Sequence, residues 1–125
     1  MKLFAPESYW NLTDEAKKEL TEGGCGPGGF GDWLVPDTVY GLSIRKACQI
    51  HDACYALGET IKDKKSADRT FLNNMLRIIY SGTKWWILRK LRIRRAYTYY
   101  KAVKLFGGHA FWHNKNSIKE YRETK

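Results

Sequence analysis

The chain has 125 residues, enough for one domain with a single core and too few for two. Hydrophobic residues make up 43% and aromatic residues 14%, which excludes a disordered or low-complexity chain. The formal net charge is +9 and unevenly placed: residues 1–68 hold 8 basic and 11 acidic side chains, residues 69–125 hold 14 and 2, so the second half predicts a polyanionic partner such as an anionic membrane or nucleic acid.

The N-terminus, Met1-Lys2-Leu3-Phe4-Ala5-Pro6, lacks the apolar stretch of a secretory signal. Asn11 or Thr13 can cap a first helix running through Leu20, with Asp14 and Glu15 in the turn where the helix dipole favours acids. Gly23-Gly24 ends it. Residues 23–37 contain six of the eleven glycines and two of the three prolines, so they read as a loop. A second helix is expected from Leu42 to Leu57, stopped by Gly58. Asp63 or Ser66 can cap a third, ending near Tyr80 before Ser81-Gly82. The fourth is expected from Lys84 to Phe106, with Trp85, Leu88, Leu91, Tyr99, Val103 and Phe106 on one face and eight Lys/Arg over much of the rest. One of Trp85 and Trp86 is expected in the core. Trp85-Trp86-Ile87-Leu88 runs into Arg89-Lys90, so no segment is apolar enough to span a bilayer. Gly107-Gly108 ends this helix, and a polar tail occupies 114–125. No repeat and no convincing β alternation is present. The fold class is mainly α, one domain over 1–125 with its core in 11–107.

The second helix places Cys48, His51 and Tyr55 at i, i+3 and i+7 on one face, with Asp52 about 100° round. The third carries Asp68, Phe71, Leu72, Met75 and Ile79 at helical spacing, so a carboxylate lies on its apolar stripe. A buried carboxylate needs a hydrogen-bonding partner, and His51 on the neighbouring helix is the candidate, with Tyr55 adding a phenolic bond. An Asp that accepts from one ring nitrogen leaves the other as a general base. The loop Cys25-Gly26-Pro27-Gly28-Gly29 allows backbone carbonyls to converge. Carbonyls plus one carboxylate suit calcium, and Asp52 would be that carboxylate if the loop docks on the second helix. A Cys25–Cys48 disulfide would hold it there. A zinc knuckle is disfavoured, because Cys48 and Cys54 are six apart. His109 and His113 lie beyond Gly107-Gly108 and read as surface or packing residues.

Gly24-Cys25-Gly26-Pro27-Gly28-Gly29 with Cys48-Gln49-Ile50-His51-Asp52-Ala53-Cys54-Tyr55 resembles the phospholipase A2 superfamily, which pairs a C-G-x-G-G calcium loop with a C-x-x-H-D-x-C-Y helix. The likeness covers roughly residues 23–72. It implies a small phospholipase A2-like fold with two antiparallel catalytic helices and, here, an added basic C-terminal helix. It implies that the carbonyls of Gly24, Gly26 and Gly28 and the carboxylate of Asp52 hold Ca²⁺. It also implies His51 as base, Asp68 as its orienting carboxylate, Tyr55 as support and the Gly26 N–H as a donor to the oxyanion. The chain departs from the secreted members: Ala67 stands where a cysteine pairs with Cys54, which leaves Cys54 free. Only sixteen residues separate His51 from Asp68, as in compact microbial and viral members.

The implied activity is calcium-dependent hydrolysis of the sn-2 ester of glycerophospholipids at an anionic membrane surface, in a calcium-rich setting. Trp85, Trp86, Arg89, Lys90, Arg92 and Arg94 are the candidate membrane contacts. The alternative is a non-catalytic module that binds anionic lipid or nucleic acid through residues 69–125.

Overall fold

The computed structural model describes residues 2–16 and 36–112, which are mainly helical, in agreement with the expected class. The elements run α1 (Glu7–Trp10), β1 (Thr38–Val39), β2 (Leu42–Ser43), α2 (Arg45–Leu57), α3 (Ile61–Gly82), α4 (Trp86–Phe106) and α5 (Gly108–Trp112). The central helix is α3, which packs against both α2 and α4. Its Phe71, Met75, Ile78 and Ile79 meet Ala47 and Cys48 of α2 and Ala96, Tyr99 and Val103 of α4 in the main core. A smaller cluster gathers Ile50, Cys54 and Tyr55 with Ala67 and Phe111. Later residues of α2 meet earlier residues of α3, so the two helices are antiparallel.

Thr60 caps α3: its hydroxyl accepts from the Asp63 amide at 3.1 Å, and the Asp63 carboxylate accepts from the Thr60 amide at 3.0 Å. Asp63 is therefore the reciprocal member of a capping box, not the cap, and Ser66 lies inside the helix. Thr13 accepts from the Ala16 amide at 3.1 Å, whereas Asn11 closes α1, a short helix not expected from the sequence. The remainder of the first expected helix, to Leu20, lies outside the described residues.

The second helix starts at Arg45, not Leu42, because Leu42 and Ser43 pair antiparallel with Val39 and Thr38. Tyr40 and Gly41 turn the hairpin with φ of 45° and 79°, a tight turn in which glycine carries no side-chain penalty. Two-residue strands leave no alternation to detect. Helix α4 clamps the hairpin: Tyr99 Oη donates to the Thr38 carbonyl at 2.9 Å, Arg92 to the Tyr40 carbonyl at 2.8 Å and Arg95 to the Tyr40 hydroxyl at 3.0 Å.

That clamp fixes the roll of α4. Its buried residues are Ala96, Tyr99 and Val103. Trp85, Leu91 and Phe106, expected on the inward face, are 59%, 39% and 61% exposed, and Trp86 is 67% exposed. Both tryptophans therefore face solvent. The chain continues past Gly107 into α5, which delivers the fully buried Phe111. Gly58 is extended at φ −72°, not left-handed; a Cβ there would sit 2.8 Å from the Phe111 ring, so close packing is its use. No helix among the described residues is long and apolar enough to cross a membrane.

Candidate functional site

The antiparallel pairing of α2 and α3 brings His51 and Tyr55, one turn apart on α2, onto Asp68 of α3. His51 Nε2 lies 2.8 Å from Asp68 Oδ1, and Tyr55 Oη donates to the same oxygen at 2.5 Å. His51 and Asp68 are 1% and 2% exposed. The His51 ring stacks on Phe71 at 4.6 Å between centroids, which fixes its plane from the α3 side. Gly107 closes over Tyr55: a Cβ there would lie 2.6 Å from the phenolic oxygen.

A fourth member is Lys64, buried one turn before Asp68 on α3. Its Nζ donates to Asp68 Oδ2 at 2.8 Å, to the Val103 carbonyl at 3.2 Å and to the Lys104 carbonyl at 3.4 Å. Lys64 does not stand out in the sequence, where Lys62-Asp63-Lys64-Lys65 looks like a solvated charge run. The signal was the i, i+4 spacing from Lys64 to Asp68, which puts an ammonium on the carboxylate's own face.

Burial pulls the His51 pKa below its ordinary value, against the opposing pull of the Asp68 hydrogen bond and charge. The ring is therefore neutral near pH 7. Because a carboxylate only accepts, Nε2 carries the proton and Nδ1 the lone pair. Burial alone raises the Asp68 pKa, but the bonds from His51, Lys64 and Tyr55 together outweigh it and hold the carboxyl below the usual range. Burial and then the Asp68 carboxylate push the Tyr55 phenol well up, so it stays a donor. The result is an ionised, fully bonded carboxylate fixing a neutral imidazole.

No family model, curated protein or solved structure matches this chain.

Of the other residues expected at the site, Asp52 follows His51 on α2 and is half-buried. Gly24, Cys25, Gly26 and Gly28 lie outside the described residues. Cys48 is buried one turn before His51. Cys54 is a free, buried thiol, which burial pushes up to about 11, and it shares a cluster with Ala67. His113 and the side chain of His109 lie outside the described residues. Among the described residues no group of three or more His, Cys, Asp or Glu side chains is placed to hold a metal.

The six candidate membrane contacts divide. Trp85, Trp86, Lys90 and Arg94 are exposed. Arg89 instead donates to the Thr83 carbonyl at 2.5 Å and lies over the Tyr80 ring, and Arg92 donates to Thr83 Oγ1 at 2.8 Å as well as to Tyr40. These two arginines are tied to the fold.

Proposed function

We propose that the chain is a calcium-dependent phospholipase A2 that opens the sn-2 ester of glycerophospholipids. The observation that carries this reading is the buried His51–Asp68 pair, 2.8 Å apart, a contact that calls for the proton on Nε2 and the lone pair on Nδ1. His51 Nδ1 takes the proton of an attacking water, and the imidazolium that forms is stabilised by Asp68 through Nε2–H. Tyr55 and Lys64 keep Asp68 ionised and in one orientation throughout. Removing the base costs roughly 10²–10⁴-fold in rate in enzymes of this kind.

The donor set available to a metal fits a hard cation. Asp52, next to His51 in the chain, would supply a carboxylate oxygen, and the Gly24, Gly26 and Gly28 carbonyls would supply the rest. Calcium, when bound, contributes Lewis-acid charge that holds the phosphate and polarises the ester carbonyl. The Gly26 N–H would donate to the oxyanion, and a Cys25–Cys48 disulfide would tether its loop to α2. This reading includes a phospholipase A2-like arrangement of α2, α3 and the glycine loop.

Adsorption to an anionic bilayer falls to Trp85 and Trp86 with Lys90 and Arg94. Each cation contributes about 1 kcal/mol at such a surface. The same exposed patch favours the second reading, a non-catalytic module for anionic surfaces. Vesicle hydrolysis with calcium or a chelator, with products identified by mass spectrometry, separates the two. Calcium-dependent release of the sn-2 fatty acid is expected. Folded protein that binds the vesicles yet releases no fatty acid at millimolar calcium supports the module instead.

A further inference from the structure

Beside Asp68, the first turns of α3, the end of α4 and α5 line an open groove of about 680 Å³. Its walls include neither His51 nor Tyr55; Lys64 and Asp68 form part of its lining. Three cations of α3, Lys62, Lys65 and Arg69, border it, and Lys104 of α4 faces them. All four are exposed, and among the described residues no carboxylate pairs with any of them. Asp68 is the one acidic residue in the lining, and its charge is already taken up by three donors. The groove is therefore electropositive. It is also apolar: Ile61, Tyr100, Leu105 and Trp112 share the lining with the cations, and Leu105 is 70% exposed.

We propose that this groove binds a single-chain amphiphile with an anionic headgroup, the cations taking the headgroup and Leu105 with Trp112 the alkyl chain. An inorganic anion leaves the apolar wall wet, and an uncharged chain leaves the cations uncompensated. A molecule with both parts satisfies both. The volume lies in the usual small-molecule range. Lys64 is not available to the headgroup, since its three N–H groups go to Asp68, Val103 and Lys104. The headgroup thus sits on Lys65, Arg69 and Lys104. Binding here requires neither calcium nor hydrolysis, so it stands apart from the proposed activity.

The test is calorimetric titration of the full chain, in chelator, with dodecyl phosphate below its micellar range. One saturable site is expected, and both inorganic phosphate and dodecyl maltoside should bind at least about tenfold more weakly. Lys65→Glu/Arg69→Glu and, separately, Leu105→Asp should each lose about tenfold, while Lys90→Glu/Arg94→Glu at the far end of α4 keeps wild-type affinity. Circular dichroism verifies the fold of each variant. Laurate run in parallel identifies the source by the tighter headgroup: carboxylate for a fatty acid, phosphate for a lysolipid. Four results overturn the proposal: no saturable binding, phosphate or maltoside binding as tightly, unchanged affinity in the Lys65/Arg69 variant, or equal loss in the Lys90/Arg94 variant.

Discussion

Asp68 is held by three donors of different kinds, and each can be removed by a single substitution. Lys64→Met leaves a buried carboxylate without its ammonium, and breaking such a pair costs about 3–5 kcal/mol. Urea unfolding should show that loss, and a change within 0.5 kcal/mol would mean that Lys64 does not balance the charge. Tyr55→Phe removes one bond to a charged acceptor, for a smaller cost of about 1.5–3 kcal/mol. Gly107→Ala should also destabilise, because its methyl would meet both the Val103 carbonyl and the Tyr55 hydroxyl. The acid dependence has a defined sign. His51 is held below its ordinary 6.5, so the unfolded chain binds its proton first and stability falls as pH drops below about 6.5. Asp68 is held below its ordinary 3.8, so its contribution is present above that value and is lost as pH falls through the folded one. Stability curves of wild type and His51→Gln should differ in the first window; identical slopes there would contradict a buried neutral imidazole.

At the scale of elements, the sequence was most legible where period and punctuation agreed. The inward stripe Asp68, Phe71, Met75, Ile79 on α3 follows from i, i+3, i+4 spacing, and all four are buried. The meeting of that carboxylate with His51 and Tyr55 could be read from the two helical faces together. Caps and the roll of α4 were less legible. Thr60 lies three residues before Asp63, a capping-box spacing that a search for a single cap residue passes over. On α4, helical spacing suggested a face with Trp85, Leu91 and Phe106 beside Tyr99 and Val103. The hairpin instead accepts from Arg92 and Tyr99 at its carbonyls and from Arg95 at the Tyr40 hydroxyl, and Ala96 turns inward with Tyr99 and Val103. No local pattern in 84–106 encodes the position of a hairpin forty residues earlier. Thr60→Ala should cost about 1 kcal/mol through loss of the cap. A thermal melt unchanged by that substitution would show that the α3 start is fixed by packing alone.

For the whole molecule, α3 and α4 place the proposed base and the proposed membrane patch at opposite ends of the helix pair. Asp68 sits fourteen residues before the end of α3, so at about 1.5 Å per residue the tryptophan patch lies some 20 Å along the axis from Asp68. The basic excess of residues 69–125 therefore does two jobs. Arg89, Arg92 and Arg95 bind the fold together, while Lys90, Arg94 and the Arg69–Lys104 groove present charge outward. A net charge gave the sum of these and not the division. In the proposed mechanism turnover passes through His51. Wild type and His51→Gln, matched by circular dichroism, should be compared at saturating calcium on anionic vesicles labelled in the sn-2 chain. Release by wild type and a loss of at least about 10²-fold in the variant are expected. Equal release by the two proteins would rule out His51 as the base.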